Sequence, residues 1–166
     1  MSHFFVNGCN LQELILGYNF NQKLGNSLLN LINLRRLTLG YEFNHELEIP
    51  SNIEYLHLDC NNIKLIDSLP NSLVELEFGY GFDLELNNLP NSIKIIKFEK
   101  TCVYNQELNN LPKSLEHLEL NKSYNKKITT VYPNLKTILC SPKYGHSDVF
   151  VSKGPEMYDF YYNKLL

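Results

Sequence analysis

A short apolar motif recurs about every 20 residues along the chain and constrains the fold more than any other feature. The motif is Leu-x-x-Leu-x-Leu, with Leu, Ile or Phe at 20 of its 21 apolar positions and Cys140 at the remaining one. A unit of this length cannot bury its own apolar side chains, so neighbouring units must stack on one another. The seven copies begin at Leu11, Leu34, Ile53, Leu73, Ile93, Leu115 and Leu135.

This period predicts a repeat solenoid of the leucine-rich-repeat type. Each motif should form a short strand whose apolar residues point inward, and successive strands should pair in parallel on the concave face. The stretch between motifs is too short for a long helix, so we expect extended or 3₁₀ segments on the convex side. We place the solenoid at residues 11–140, as six repeats plus a final strand.

Two further signals recur with the motif. Proline precedes five of the copies, as in Pro50-Ser51-Asn52-Ile53, and it stops any helix before the next strand. An aromatic residue followed by Asn or Asp comes after most strands, as in Phe43-Asn44 and Tyr104-Asn105. We expect the aromatic rings to stack from coil to coil and the polar side chains to bond unpaired backbone groups. The bonding of backbone groups accounts for much of the asparagine content, which reaches 22 residues.

The unit that runs from Phe43 to Ile53 resembles the FNIP repeat, a leucine-rich-repeat-like family of social amoebae and giant amoeba viruses. Units beginning at Phe82, Tyr104 and Tyr124 resemble it with looser fidelity, and the third copy departs from it at Asn61-Asn62-Ile63. The resemblance implies a leucine-rich-repeat-like fold. Relatives with an F-box would imply a ubiquitin-ligase role, but only ten residues precede the first copy, so we do not expect that role here.

The segments outside the repeats are predicted to cap the two open ends of the solenoid. Residues 1–10, with Phe4, Phe5 and Val6, form the predicted N-terminal cap. Residues 141–166 form the predicted C-terminal cap, with a possible short amphipathic helix from Met157 to Leu166 after Gly154-Pro155-Glu156. A docking helix for a partner is the alternative reading of this tail.

Composition and charge exclude several classes of protein. The formal charge of −3 and pI near 5.9 give no reason to expect nucleic-acid binding. No apolar run approaches a membrane span, and the N-terminus lacks a secretory signal, so we expect an intracellular, cytoplasmic protein. Cys9, Cys60, Cys102 and Cys140 are widely spaced, which predicts buried, reduced thiols rather than a metal site. We expect no cofactor and no small-molecule substrate.

The strand positions between the apolar ones should project from the concave face. His57 and His117 would lie three coils apart, about 14 Å, too far to share a metal ion. Glu77, Lys97 and Glu119 should form a charge ladder along one column. Arg and Tyr beside acidic residues are typical of interfaces. The predicted partner-binding residues are Arg36, Tyr55, His57, Glu75, Glu77, Lys97, His117 and Glu119.

These observations support three functional hypotheses. The first is a non-enzymatic module that binds an unidentified partner protein through the concave face. The second is a structural or decoy repeat protein without a dedicated ligand. The third, a hydrolase built on the His57–Glu77 column, lacks a phosphate loop, a nucleophile elbow or a metal motif in its support.

Overall fold

Eight short parallel strands form one sheet in the computed structural model, which describes residues 10–146, 154–160 and 163–165. Each strand pairs with the next one along the chain. Each of the seven sequence motifs supplies one strand, which confirms the predicted leucine-rich-repeat-like solenoid. The strands are β1 (Glu13–Leu16), β2 (Arg36–Leu39), β3 (Tyr55–Leu58), β4 (Glu75–Phe78), β5 (Ile95–Phe98), β6 (His117–Glu119), β7 (Thr137–Cys140) and β8 (Glu156–Asp159).

The strand register keeps each motif position in one column through the solenoid. Leu37 pairs with Leu56, which pairs in turn with Leu76 and Ile96. All four side chains are fully buried. Like residues therefore stack on like residues, and the core is one continuous apolar column rather than a separate cluster in each coil.

The recurring aromatic residues form a second column inside the solenoid, as predicted. Ring centroids of Phe82 and Tyr104 lie 6.1 Å apart, and those of Tyr104 and Tyr124 lie 6.2 Å apart. Phe20 and Phe43 stack in the same way at 6.3 Å. The column is interrupted in the third coil, where buried Cys60 precedes Asn61 and no aromatic residue follows the strand.

The polar residue beside each aromatic ring connects neighbouring coils. The backbone N–H of Asn44 donates to Oδ1 of Asn21 over 3.1 Å. The N–H groups of Asp83 and Asn105 donate to the side chains of Asn61 and Asp83, each over 2.8 Å. The predicted bonding of side chains to backbone groups is confirmed at these positions, and it satisfies donors that no strand can pair.

The convex side consists of extended segments and tight turns. The carbonyl oxygen of Pro50 accepts a hydrogen bond from the N–H of Ile53 over 3.2 Å, and Pro70 and Pro90 do the same for Leu73 and Ile93. Each proline thus opens a turn that leads into the next strand. One segment of the described residues is helical, α1 (Ile63–Ile66), in the coil that departs from the repeat pattern. In the described ranges, no helix is long and apolar enough to cross a membrane.

The predicted C-terminal helix is wrong, because its first residues form strand β8. Met157 pairs with Ile138 of β7 and is fully buried, whereas Glu156 is exposed. Pairing with β7 satisfies backbone groups that would otherwise remain open at a sheet edge, and it extends the apolar column by one coil. Tyr158 also bridges to Lys164, so the chain turns back here instead of coiling into a helix.

Parts of the predicted caps cannot be compared with the structure. Residues 1–9, with Phe4, Phe5 and Val6, lie outside the described residues. Three aromatic residues of the predicted C-terminal cap, Phe150, Tyr161 and Tyr162, lie outside them as well.

The thiols of Cys60, Cys102 and Cys140 are free and buried, as predicted. Burial raises the pKa of each of these thiols to about 11, so they remain protonated at neutral pH. Cys9 belongs to the part of the chain that the structure does not describe.

Candidate functional site

Two columns of side chains cover the sheet surface that is turned away from the core, here called the concave face. The structure brings all eight residues predicted to bind a partner onto this surface, although their binding role stays a prediction. The first column contains Glu13, Arg36, Tyr55, Glu75, Ile95, His117, Thr137 and Glu156. The second contains Ile15, Thr38, His57, Glu77, Lys97, Glu119, Leu139 and Tyr158.

A connected polar network occupies the N-terminal half of the concave face. Arg36 bonds Oε1 of Glu13 over 3.1 Å, and its guanidinium lies 3.7 Å from the ring centroid of Tyr55. The Tyr55 hydroxyl donates to Oε2 of Glu77 over 2.6 Å. Burial and this hydrogen bond to Glu77 raise the pKa of Tyr55. The network therefore links side chains on four consecutive strands, β1 to β4.

Lys97 crosses between the two columns instead of continuing a ladder along one. Its ammonium group pairs with the carboxylate of Glu75 in the other column. Burial lowers the pKa of Lys97, but Glu75, Glu77 and Glu119 outweigh this effect and raise it. Glu77 and Glu119, the predicted ladder partners of Lys97, therefore act on it only through their charge. The direct ion pair of Lys97 is with Glu75, in the neighbouring column.

One imidazole and three carboxylates gather where β3, β4 and β5 end, and we call His57, Asp59, Glu77 and Glu99 the carboxylate–imidazole cluster. Nε2 of His57 lies 3.5 Å from Oδ1 of Asp59 and 3.8 Å from Oε1 of Glu99. Burial lowers the pKa of His57, but Asp59, Glu77 and Glu99 together outweigh burial and raise it. Burial raises the pKa of Glu99.

The second predicted histidine takes no part in this cluster. Nδ1 of His117 contacts the hydroxyl of Thr137 on the neighbouring strand. Two intervening strands, β4 and β5, separate β3, which carries His57, from β6, which carries His117. The expectation that the two imidazoles lie too far apart to share an ion agrees with this topology.

A shallow cavity of about 320 Å³ lies at the C-terminal half of the concave face. Its lining includes the predicted residues Lys97, His117 and Glu119 together with Tyr158 of β8. Tyr158 is not among the predicted site residues, because the sequence favours a helix for this segment. Its strand alternates exposed Glu156, buried Met157, half-buried Tyr158 and buried Asp159, but the acidic Asp159 at an inward position hides this alternation in the sequence.

Exposed tyrosines flank the concave face in the loops that follow β1, β2 and β4. The rings of Tyr18 and Tyr41 stack with centroids 5.1 Å apart. Tyr18 and Tyr80 are each 58% exposed, and Tyr41 is 41% exposed. Sequence reasoning missed this patch, although a Gly-Tyr pair directly follows the strand in each of the three coils.

Comparison with known proteins agrees with this architecture. The FNIP Repeat family model matches residues 43–81 and 104–135, which include the units beginning at Phe43 and Tyr104. Residues 43–81 and 104–135 thus carry FNIP repeats, and the array that contains them is here called the FNIP solenoid. A comparison with curated protein sequences finds no match for the FNIP solenoid.

A solved structure also resembles the FNIP solenoid. It is described as the crystal structure of CroV588, a novel circular LRR protein, and it is 28% identical with a TM-score of 0.69. The match covers 90% of this chain and 24% of CroV588. The chain thus spans about a quarter of the length of that protein.

Proposed function

We propose that the FNIP solenoid is a non-enzymatic module that binds a partner protein through its concave face. The observation that supports this best is the continuous surface of eight parallel strands, on which most coils contribute charged or aromatic side chains. Repeat solenoids commonly bind through an extended sheet of this kind. Arg36 and Tyr55 are already ordered by contacts with Glu13 and Glu77, which reduces the entropy lost on binding.

The charge of the face favours a partner that presents Lys or Arg. Among the outward strand positions, the acidic residues are Glu13, Glu75, Glu77, Glu119 and Glu156, whereas the basic ones are Arg36 and Lys97. Asp59 and Glu99 add negative charge at the strand ends. Complementary charge steers association and selects among partners more than it adds affinity.

The exposed tyrosine patch of Tyr18, Tyr41 and Tyr80 supplies apolar contact area beside these charges. Tyrosine is enriched among the residues that dominate binding energy, since its ring is rigid and its hydroxyl can bond a partner. We therefore include this patch in the proposed interface, next to the charged columns.

Affinity capture from lysate of the native cell, read by mass spectrometry, tests the proposal. The test variant combines Arg36→Ala, Tyr55→Ala and Glu75→Ala on the concave face. The matched control combines Lys113→Ala, Val131→Ala and Glu48→Ala, which remove one base, one large apolar side chain and one acid from exposed positions between strands. A partner retained by the wild type and the control but lost by the test variant is the expected result.

Circular dichroism melting of both triple variants must show that they remain folded. Capture should also weaken as salt is added, because the proposed contacts are largely electrostatic. Recovery of chaperones and background alone would favour the structural or decoy hypothesis instead. Equal capture by the test variant and the wild type would show that the partner binds another surface.

A further inference from the structure

The carboxylate–imidazole cluster contains a buried nitrogen whose nearest carboxylate oxygen, Oδ1 of Asp59, lies 3.5 Å away. Nε2 of His57 is buried and forms no hydrogen bond of normal geometry with any described residue. The His57 side chain is only 13% exposed, so water has little access to it. Buried nitrogen and oxygen atoms are almost always bonded, and an exception of this kind needs a physical explanation.

We infer that this cluster binds a divalent transition-metal ion such as Zn²⁺ through His57, Glu77 and Glu99. One ligand-type atom from each of these three side chains lies within 4.8 Å of the other two. Imidazole nitrogen favours Zn²⁺ and similar ions over Mg²⁺ or Ca²⁺, which prefer all-oxygen sites. Three protein ligands leave one position of a tetrahedral ion for a further ligand.

The separation of the His57 and Glu99 ligand atoms is close to that of two ligands on one ion. Two ligands at zinc distances of about 2.0–2.1 Å in tetrahedral geometry lie about 3.3–3.4 Å apart. Nε2 of His57 and Oε1 of Glu99 are 3.8 Å apart. The Glu99 side chain is 38% exposed, so a small rotation can bring its carboxylate to the ion without disturbing the core.

Gly79 makes the approach of these groups possible. It follows β4 and lies between the coil of His57 and Asp59 and the coil of Glu99. A Cβ atom at this position would lie 1.5 Å from Oδ1 of Asp59 and 2.8 Å from Nε2 of His57. Any side chain at this position would therefore push Asp59 and His57 out of their present places, so the cluster depends on glycine here.

Hydrogen bonds hold two of the carboxylates in place, as is usual around metal ligands. The Tyr55 hydroxyl bonds Oε2 of Glu77, which leaves the other oxygen free for an ion. The backbone N–H of Tyr80 donates to Oδ1 of Asp59 over 3.1 Å. Asp59 thereby adds a fixed negative charge beside the three proposed ligands.

A proton is the natural competitor of the metal ion. Asp59, Glu77 and Glu99 face His57 from its own coil and from the next two, and they raise its pKa. Lys97, the nearest cation on β5, pairs with Glu75 instead. Because a metal ion binds neutral imidazole and ionised carboxylates, Zn²⁺ affinity should fall in acidic solution.

Calorimetric titration of the purified full chain with Zn²⁺ alone at pH 8 tests the inference, and it does not depend on partner binding. We expect one ion per chain. His57→Ala and Glu99→Gln should each weaken binding at least about tenfold, since even groups that only orient ligands cost that much. His117→Ala and Glu119→Gln are matched controls on the same face and should bind as the wild type does.

Absorption spectra with Co²⁺ identify the ligands independently. Visible bands of a nitrogen- and oxygen-ligated ion, absent in His57→Ala but present in His117→Ala, are expected. A sulfur-to-cobalt charge-transfer band would assign the ion to a cysteine and overturn the inference. It would also be overturned if Zn²⁺ gave no heat at pH 8, or if His57→Ala bound it as tightly as the wild type. Circular dichroism melting confirms that each variant is folded.

Discussion

Single residues in this solenoid act through the column that they share with other coils. Leu56 and Leu76 stack in the core, Tyr104 and Tyr124 stack beside them, and Asn21 bonds the backbone of the next coil. The roles of these residues follow from their position in the repeat, which explains why leucine and asparagine dominate the composition. Gly79 differs, because its role depends on the side chains of Asp59 and His57, which the neighbouring coil places against it.

Gly79→Ala should destabilise the protein by about 1–3 kcal/mol, the usual cost of forcing an atom into filled space. The new Cβ would collide with the Asp59 carboxylate, which would lose its hydrogen bond from the Tyr80 N–H. Chemical denaturation of the two proteins measures the difference. The same substitution should also weaken any Zn²⁺ binding by the cluster.

Gly17→Ala is the matched control, because Gly17 follows β1 as Gly79 follows β4. A Cβ at Gly17 would meet no atom within 4 Å, so this variant should retain wild-type stability within about 0.5 kcal/mol. Similar losses in both variants would show that backbone conformation, rather than the space occupied by Asp59, selects glycine after the strand.

At the scale of elements, the sequence alone predicts strands β1 to β7 but neither strand β8 nor helix α1. The first seven strands carry the full motif, so apolar spacing and period reinforce each other. In β8 only Met157 occupies an apolar inward position, while Asp159 lies where Cys140 and Leu58 lie in earlier coils. Pro155 also resembled a helix start. Residues 156–159 form a strand because the edge of β7 is free to pair with them, and nothing in their own sequence indicates that this edge is near.

Met157→Ala should cost about 2–5 kcal/mol, as is typical for removing a large side chain from a packed core. The side chain is fully buried against β7, and its loss would leave a cavity at the end of the apolar column. Thermal or denaturant unfolding measures the change. Glu156→Ala on the exposed side of the same strand is the control and should have little effect. If both variants unfolded alike, β8 would not contribute to the core.

At the scale of the whole molecule, half of the carboxylate–imidazole cluster could be predicted and half could not. His57 and Glu77 share a column, so the repeat period places them side by side. Asp59 and Glu99 lie beyond the ends of β3 and β5. They come close to each other over Gly79, which occupies the coil between them. Contacts of this kind depend on loop geometry and on which side chain is absent, and neither follows from a repeat pattern.

The solenoid is also a one-dimensional structure, since each strand contacts only its sequence neighbours among the described elements. Its stability should therefore be a sum of coil terms and nearest-neighbour terms. A defect in the middle then uncouples two halves, whereas a defect near an end affects only that end. Ile96 in β5 and Ile138 in β7 allow a matched comparison, because both are isoleucines and both are fully buried.

Hydrogen exchange of the two variants should therefore differ in extent. Ile138→Ala should accelerate exchange of the β6, β7 and β8 amides and leave β2 to β4 protected. Ile96→Ala should accelerate exchange on both sides of β5 and should lower the denaturant dependence of unfolding, because the halves no longer unfold together. Uniform acceleration in both variants would mean that the eight coils unfold as a single cooperative unit. The nearest-neighbour terms would then exceed the individual coil terms throughout the array.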